Sequence, residues 1–138
     1  MTKMCPVVHF EMPGEDMPRM RKFYEDAFGW KTNQLGPEMG DYVLADTTET
    51  DDQRMVKTPG QINGGFFKKG KPDQGPRLTI AVDDIRAAME RVKASGGQAI
   101  GGMMKPGEPD EIPGVGLYAT CIDTEGNSFS LLQPFKML

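Results

Sequence analysis

One order of elements occurs twice along these 138 residues: strand, aspartate, amphipathic helix, glycine stop, three short strands. In the first copy, Cys5 to Met12 reads as a strand, with Val7, Val8 and Phe10 as its β-formers. Asp16 stands where a helix N-cap belongs, and Pro18 falls in the first turn. Met20, Phe23, Tyr24, Ala27 and Phe28 then recur at helical spacing, so all five are expected on the core-facing stripe. Gly29 stands where a helix ends in the left-handed conformation. Lys31 to Leu35, Tyr42 to Asp46 and Ile62 to Lys68 follow as strands, with an acidic loop over Thr47 to Gln53.

Lys69 to Pro76 has no apolar residue and is rich in Gly and Pro, which marks a linker. Beyond it Leu78 to Val82 is a strand, and Asp83 or Asp84 caps a helix with the stripe Ile85, Ala88, Met89 and Val92. Gly96 and Gly97 end that helix. Ala99 to Met103, Leu117 to Ile122 and Ser128 to Leu132 are the remaining strands, with a hairpin turn at Asp123 to Asn127. The separation from Asp16 to Gly29 equals that from Asp83 to Gly96. The expected architecture is α+β: two tandem βαβββ modules whose curled mixed sheets enclose a cleft. One domain spans 1–138, with module one over 1–69, a linker over 70–76 and module two over 77–138.

Composition narrows the function classes. The net charge is -4 and the Lys and Arg residues are scattered, so no basic stripe invites nucleic acid. No apolar run approaches the roughly 18 residues of a membrane span. Met1 to Pro6 carries one Lys and no apolar core, unlike a signal peptide, and the cytoplasm is the expected compartment. There Cys5 and Cys121 are expected to be small buried hydrophobes, since no His neighbour or paired-Cys pattern activates either.

Three stretches point to a family. Phe23 to Trp30 (FYEDAFGW), Val82 to Ile85 (VDDI) with its helix and Gly96-Gly97, and Asp123 to Phe129 (DTEGNSF) together sample both modules. In combination they resemble the glyoxalase, bleomycin-resistance and extradiol-dioxygenase proteins, the vicinal oxygen chelate superfamily. The motifs report fold: aromatic packing at Phe23 and Tyr24, chain reversal at Gly29, positive φ at Gly126.

The resemblance implies about four metal ligands, two from each half. The first falls on His9. The last falls on Ser130, where the family carries Glu. Another falls near Pro76 or Arg77, which cannot bind a cation. The fourth belongs to the strand Gln61 to Lys68, which has no His, Glu or Asp. His9 is the only histidine of the chain, and one imidazole does not hold a metal against water. Neither a metal nor another cofactor is therefore expected.

If His9 faces the cleft, as the resemblance implies, strand alternation puts Val7 and Glu11 there too and turns Val8, Phe10 and Met12 toward the helix. The cleft is expected to be lined by His9, Glu11 and Ser130, with aromatic cover from Tyr118 or Trp30. His9 and Glu11 would hydrogen-bond a polar ligand or act as base and acid; alternatively His9 is a relic satisfied by Ser130 or water, and Glu11 a solvated rim residue. Met103 and Met104, ahead of a loop over Lys105 to Gly114, are either core filling or a flap over the cleft. The expected function is binding of a small organic molecule without a metal, by a homodimer. The alternatives are a metal-dependent lactoylglutathione-lyase-like enzyme, and a metal-free lyase or isomerase using His9 and Glu11.

Overall fold

Asp16 begins the first helix as its side chain allows. Its backbone is extended and its carboxylate accepts the Arg19 N–H at 3.0 Å. The helix α1 (Met17–Phe28) ends at Gly29, whose φ of 71° permits a left-handed cap, with Gly29 N–H donating to Glu25 O and Trp30 N–H to Tyr24 O. The computed structural model describes residues 3–70 and 74–135. It divides into two compact units, His9–Pro76 and Met1–Val8 with Arg77–Leu138. The linker expected at Lys69–Pro76 lies partly outside the described residues.

In the first unit, β1 (Val7–Gly14) is followed by α1, β2 (Lys31–Gln34), a 3-10 turn over Pro37–Met39, β3 (Val43–Asp46) and β4 (Asn63–Lys68). The sheet order is β2-β3-β4-β1. β1 and β4 run parallel with His9 opposite Asn63 and Glu11 opposite Gly65, and the other pairs are antiparallel. The parallel pairing follows from the helical crossover that separates the two strands. Met17, Val43, Ala45 and Phe66 form the core between sheet and helix, with Met12, Met20, Tyr24 and Trp30 packed against it.

The stripe of α1 is corrected here. Met17, Met20 and Tyr24 reach the core, but Phe23 is 57% and Phe28 63% exposed, and Ala27 is exposed. The helix is rotated so that half-buried Arg21 faces the sheet edge, where its Nε donates to Thr32 Oγ1 at 2.8 Å. Phe23 and Phe28 lie on the helix flank, 5.0 and 6.1 Å from the Tyr24 ring.

The second unit repeats the plan. β5 (Arg77–Ala81), α2 (Ile85–Ala94), β6 (Gln98–Gly101), β7 (Asp110–Ile112), β8 (Gly116–Ile122) and β9 (Ser128–Pro134) follow in order. The sheet order is β5-β9-β8-β6, with β5 parallel to β9 and β7 on the same edge of β8 as β6. The chain is thus α+β with two βαβββ repeats, and β7 is an addition that the sequence pattern did not reveal. Gly101, at φ 96° and a register shift, ends β6 two residues before the expected Met103.

Asp84 caps α2, accepting the Ala87 N–H at 3.1 Å, while Asp83 pairs with Lys3 at 3.1 Å. The equal spacing of the two helices is therefore approximate, and α2 is two residues shorter than α1. Ile85, Ala88 and Met89 are buried with Val82, Ala119, Cys121 and Leu131. The larger of these, Ile85, Met89, Val82 and Leu131, each contribute about 1.5–3 kcal/mol by burial. Burial pushes the Cys121 thiol up to about 11, so it behaves as an apolar group. Cys5 packs half-buried against the same cluster, just outside β1, and Pro6 O accepts the Ala81 N–H. These contacts group residues 3–8, including the first two of β1, with the second unit and not with module one as expected.

Met103 and Met104 are 96% and 85% exposed and so are not core filling. Their N–H groups donate to the Asp110 carboxylate at 2.7 and 3.2 Å. The final hairpin is built by Asp123, which accepts from the Glu125 and Asn127 N–H groups at 2.8 and 2.9 Å, while Gly126 takes φ 86°. The Asn127 side chain and backbone hold the Asp123 carboxyl below its usual range. No described helix is long and apolar enough to cross a membrane.

Candidate functional site

The chemistry of the first unit gathers on the sheet face away from α1. Phe10 and Met12 point to the helix: the Phe10 ring lies 5.7 Å from Trp30, and Met12 Sδ accepts from the Tyr24 hydroxyl. His9 and Glu11 therefore occupy the opposite face, in the register that alternation implies.

Between them stands a residue that the sequence reading did not include in the site. The Tyr42 hydroxyl lies 3.2 Å from His9 Nε2 and donates to Glu11 Oε2 at 3.3 Å. The phenol reaches this place because β4 carries two successive glycines. A Cβ on Gly65 would run into the Tyr42 Oη and Cζ atoms, and one on Gly64 would run into the Phe10 ring. One aromatic ring thus covers each face of Asn63-Gly64-Gly65-Phe66: Phe10 on the helix side and Tyr42 on the polar side. The available signal was the Gly-Gly pair inside a strand, which marks a close approach by another group. Asn63, opposite His9, instead accepts the Thr47 and Thr48 N–H groups at 2.8 and 3.0 Å and closes the β3–β4 loop.

Glu11 is 5% exposed, which rules out a solvated rim residue. His9 is half-buried, and its burial holds the imidazole below its usual range, although the nearby Glu11 charge acts in the other direction.

Trp30, expected as aromatic cover beside His9, sits on the wrong face for that role. It stacks on Tyr24 at 4.6 Å and packs 6.4 Å from Phe66 in the helix–sheet core. The reversal at Gly29 folds it back under its own helix.

In the second unit Ser130 and Tyr118 come together, as neighbours on β9 and β8. The Tyr118 hydroxyl and Ser130 Oγ are 2.6 Å apart, and Ser130 is fully buried. Both lie on the face away from α2, since the alternate positions Ala119, Cys121 and Leu131 belong to the core under that helix. Thr79 pairs with Ser130 across the parallel strands, and its buried Oγ1 has no hydrogen-bond partner.

The donor set of the first unit does not fit a divalent metal. His9 Nε2 and Glu11 Oε2 are both engaged by one phenol, and β4 presents Gly65 beside them in place of a ligating side chain. Among the described residues no three His, Cys, Asp or Glu side chains converge as metal ligands do. A separate shallow cavity of about 380 Å³ lies at the start of α1, lined by Gly14, Glu15, Asp16, Arg19, Met20, Phe23 and Tyr24. It contains no residue of the polar cluster, and the Asp16 carboxylate there is already used as a cap.

Comparison with known proteins bears on this geometry. Residues 7–47 match the family model described as bleomycin resistance protein-like N-terminal. A glyoxylase-like domain-containing protein of Didymella fabae is 31% identical over 125 residues, covering 88% of each chain. Among solved structures, the methylmalonyl-CoA epimerase of Streptomyces coelicolor in complex with 2-nitronate-propionyl-CoA superposes with a TM-score of 0.66 at 14% identity over 98% of both chains. A hypothetical protein from Bacillus halodurans gives 0.65 at 14% identity over 99% of both chains. Identities this low speak for the fold alone.

Proposed function

This chain belongs to the glyoxalase and bleomycin-resistance-like proteins of the vicinal oxygen chelate superfamily, and on that premise we propose that it binds a small organic molecule without a metal. The observation that carries the proposal is the His9–Tyr42–Glu11 cluster: two polar side chains of β1 and one from the residue just before β3, partly withdrawn from water, on one sheet face. A few convergent polar groups on an otherwise covered surface are the usual means of orienting a ligand. The missing ligating residues beside His9 favour direct hydrogen bonding over chelation.

Ser130 and Tyr118 are the candidate contacts of the second unit, and Ser130→Ala tests them independently. A second reading, metal-free lyase or isomerase chemistry, draws on the same phenol, because a hydroxyl between an imidazole and a carboxylate can pass a proton.

A thermal-shift screen of small polar and aromatic compounds tests the proposal, since a ligand of the native state raises the melting temperature. The expected result is at least one stabilising compound whose effect disappears in His9→Ala. Hits that stabilise the variant as well as the native protein would place binding elsewhere. Elemental analysis of the purified protein is expected to show no stoichiometric Zn, Ni, Mn or Fe. About one metal per chain, lost with His9→Ala, would refute the metal-free reading.

A further inference from the structure

We infer that Tyr42 is a positioning residue that holds His9 in its Nε2-protonated tautomer, leaving Nδ1 to accept the hydroxyl of a neutral phenolic or enolic ligand. The ligand clause rests on the proposal that the His9 face is the binding site; the tautomer clause does not.

The direction of the hydrogen bonds follows from how many protons each group carries. A carboxylate only accepts, so the single phenol proton of Tyr42 lies toward Glu11 Oε2. The phenol oxygen is then an acceptor toward His9 Nε2, 3.2 Å away. Nε2 must therefore carry the hydrogen, and the chain runs one way from His9 through Tyr42 to Glu11. A neutral imidazole has one N–H, so Nδ1 keeps its lone pair. The only side-chain hydrogen bond of His9 among the described residues is the one to Tyr42.

The arrangement is held by packing. Gly65 leaves room for the Tyr42 ring directly above β4, and Glu11 is buried beside it. A ligand that reaches His9 on this face meets the lone pair at Nδ1, which disfavours an anion. A neutral O–H donor satisfies the lone pair, and an ether of the same shape leaves it unmet.

Histidine occurs once in the chain, so the imidazole nitrogens of uniformly 15N-labelled, tag-free protein give one unambiguous set of signals. At pH 8, above the ordinary imidazole range, long-range 15N–1H correlation spectra are expected to show the Nε2–H tautomer. Tyr42→Phe is expected to give averaged tautomers while the backbone amide spectrum stays folded. If that variant does not fold, Glu11→Gln serves instead, because an amide can donate to the phenol as well as accept from it and so frees the direction of the chain. An Nδ1–H or averaged tautomer in the native protein overturns the inference, as does a tautomer unchanged in the folded variant.

The ligand clause is tested with 4-chlorophenol and its methyl ether, followed on the His9 signals. The phenol is expected to half-saturate at a concentration roughly three- to tenfold lower, the span of one net hydrogen bond. Equal half-saturation at His9 overturns the ligand clause and leaves the site proposal standing. If both probes shift only signals remote from His9 while the tautomer is as inferred, the site proposal falls and takes the ligand clause with it.

Discussion

His9 costs the folded protein stability in acid. Its burial lowers the imidazole pKa from the ordinary 6.5, so at mildly acidic pH the unfolded chain binds a proton that the folded chain resists. Stability is therefore expected to fall as the pH drops below about 6.5, and to level off once the folded-state pKa is passed. Denaturant melts of the native protein and His9→Gln between pH 8 and 5 check this. A pH dependence identical in the two would remove His9 as its source. At the same scale, Gly65→Ala is expected to dislodge Tyr42, destabilise the fold by about 1–3 kcal/mol and abolish the His9 tautomer preference. Gly64→Ala strikes the other face: it moves the Phe10 ring, which packs on Trp30, and is expected to leave the tautomer intact. Urea titration together with the imidazole spectrum separates these two effects.

Among the elements, α2 decides between two neighbouring aspartates that look equivalent in sequence. Asp84 closes the helix terminus on the Ala87 N–H, whereas Asp83 makes an exposed ion pair with Lys3. Asp84→Ala is expected to cost about 1 kcal/mol. Asp83→Ala is expected to stay within about 0.5 kcal/mol, as exposed pairs contribute little. Equal costs, measured by chemical denaturation, would overturn the cap assignment. The helices also show how far periodicity carries. The stripe of α2 was legible because Ile85, Ala88, Met89 and Val92 leave one apolar side. That of α1 was not, because apolar residues cover more of its circumference than the sheet can bury. The surplus aromatics, Phe23 and Phe28, are left on the flank. β7 escaped notice for a related reason. Asp110–Ile112 has no alternation long enough to register, and it becomes a strand only because the edge of β8 beyond β6 is open to it.

At the scale of the whole molecule, a homodimer is the expected assembly, since open sheet edges and exposed aromatics call for cover. Light scattering at micromolar concentration checks this, and a monomer there would end the expectation. What the sequence determined by itself is the repeated βαβββ plan, because caps, glycine stops and apolar spacing are local signals written within a few residues of one another. It also determined that His9 and Glu11 share one face of β1, because side chains in a strand alternate whatever the strand pairs with. Tertiary structure decided the rest. It put Tyr42 between His9 and Glu11 over a glycine of β4, and it sent Trp30 to the opposite face under α1. The place of Tyr42 depends on which strands lie side by side. That choice is made by burial of apolar surface across distant segments, and no local pattern around Tyr42 records it.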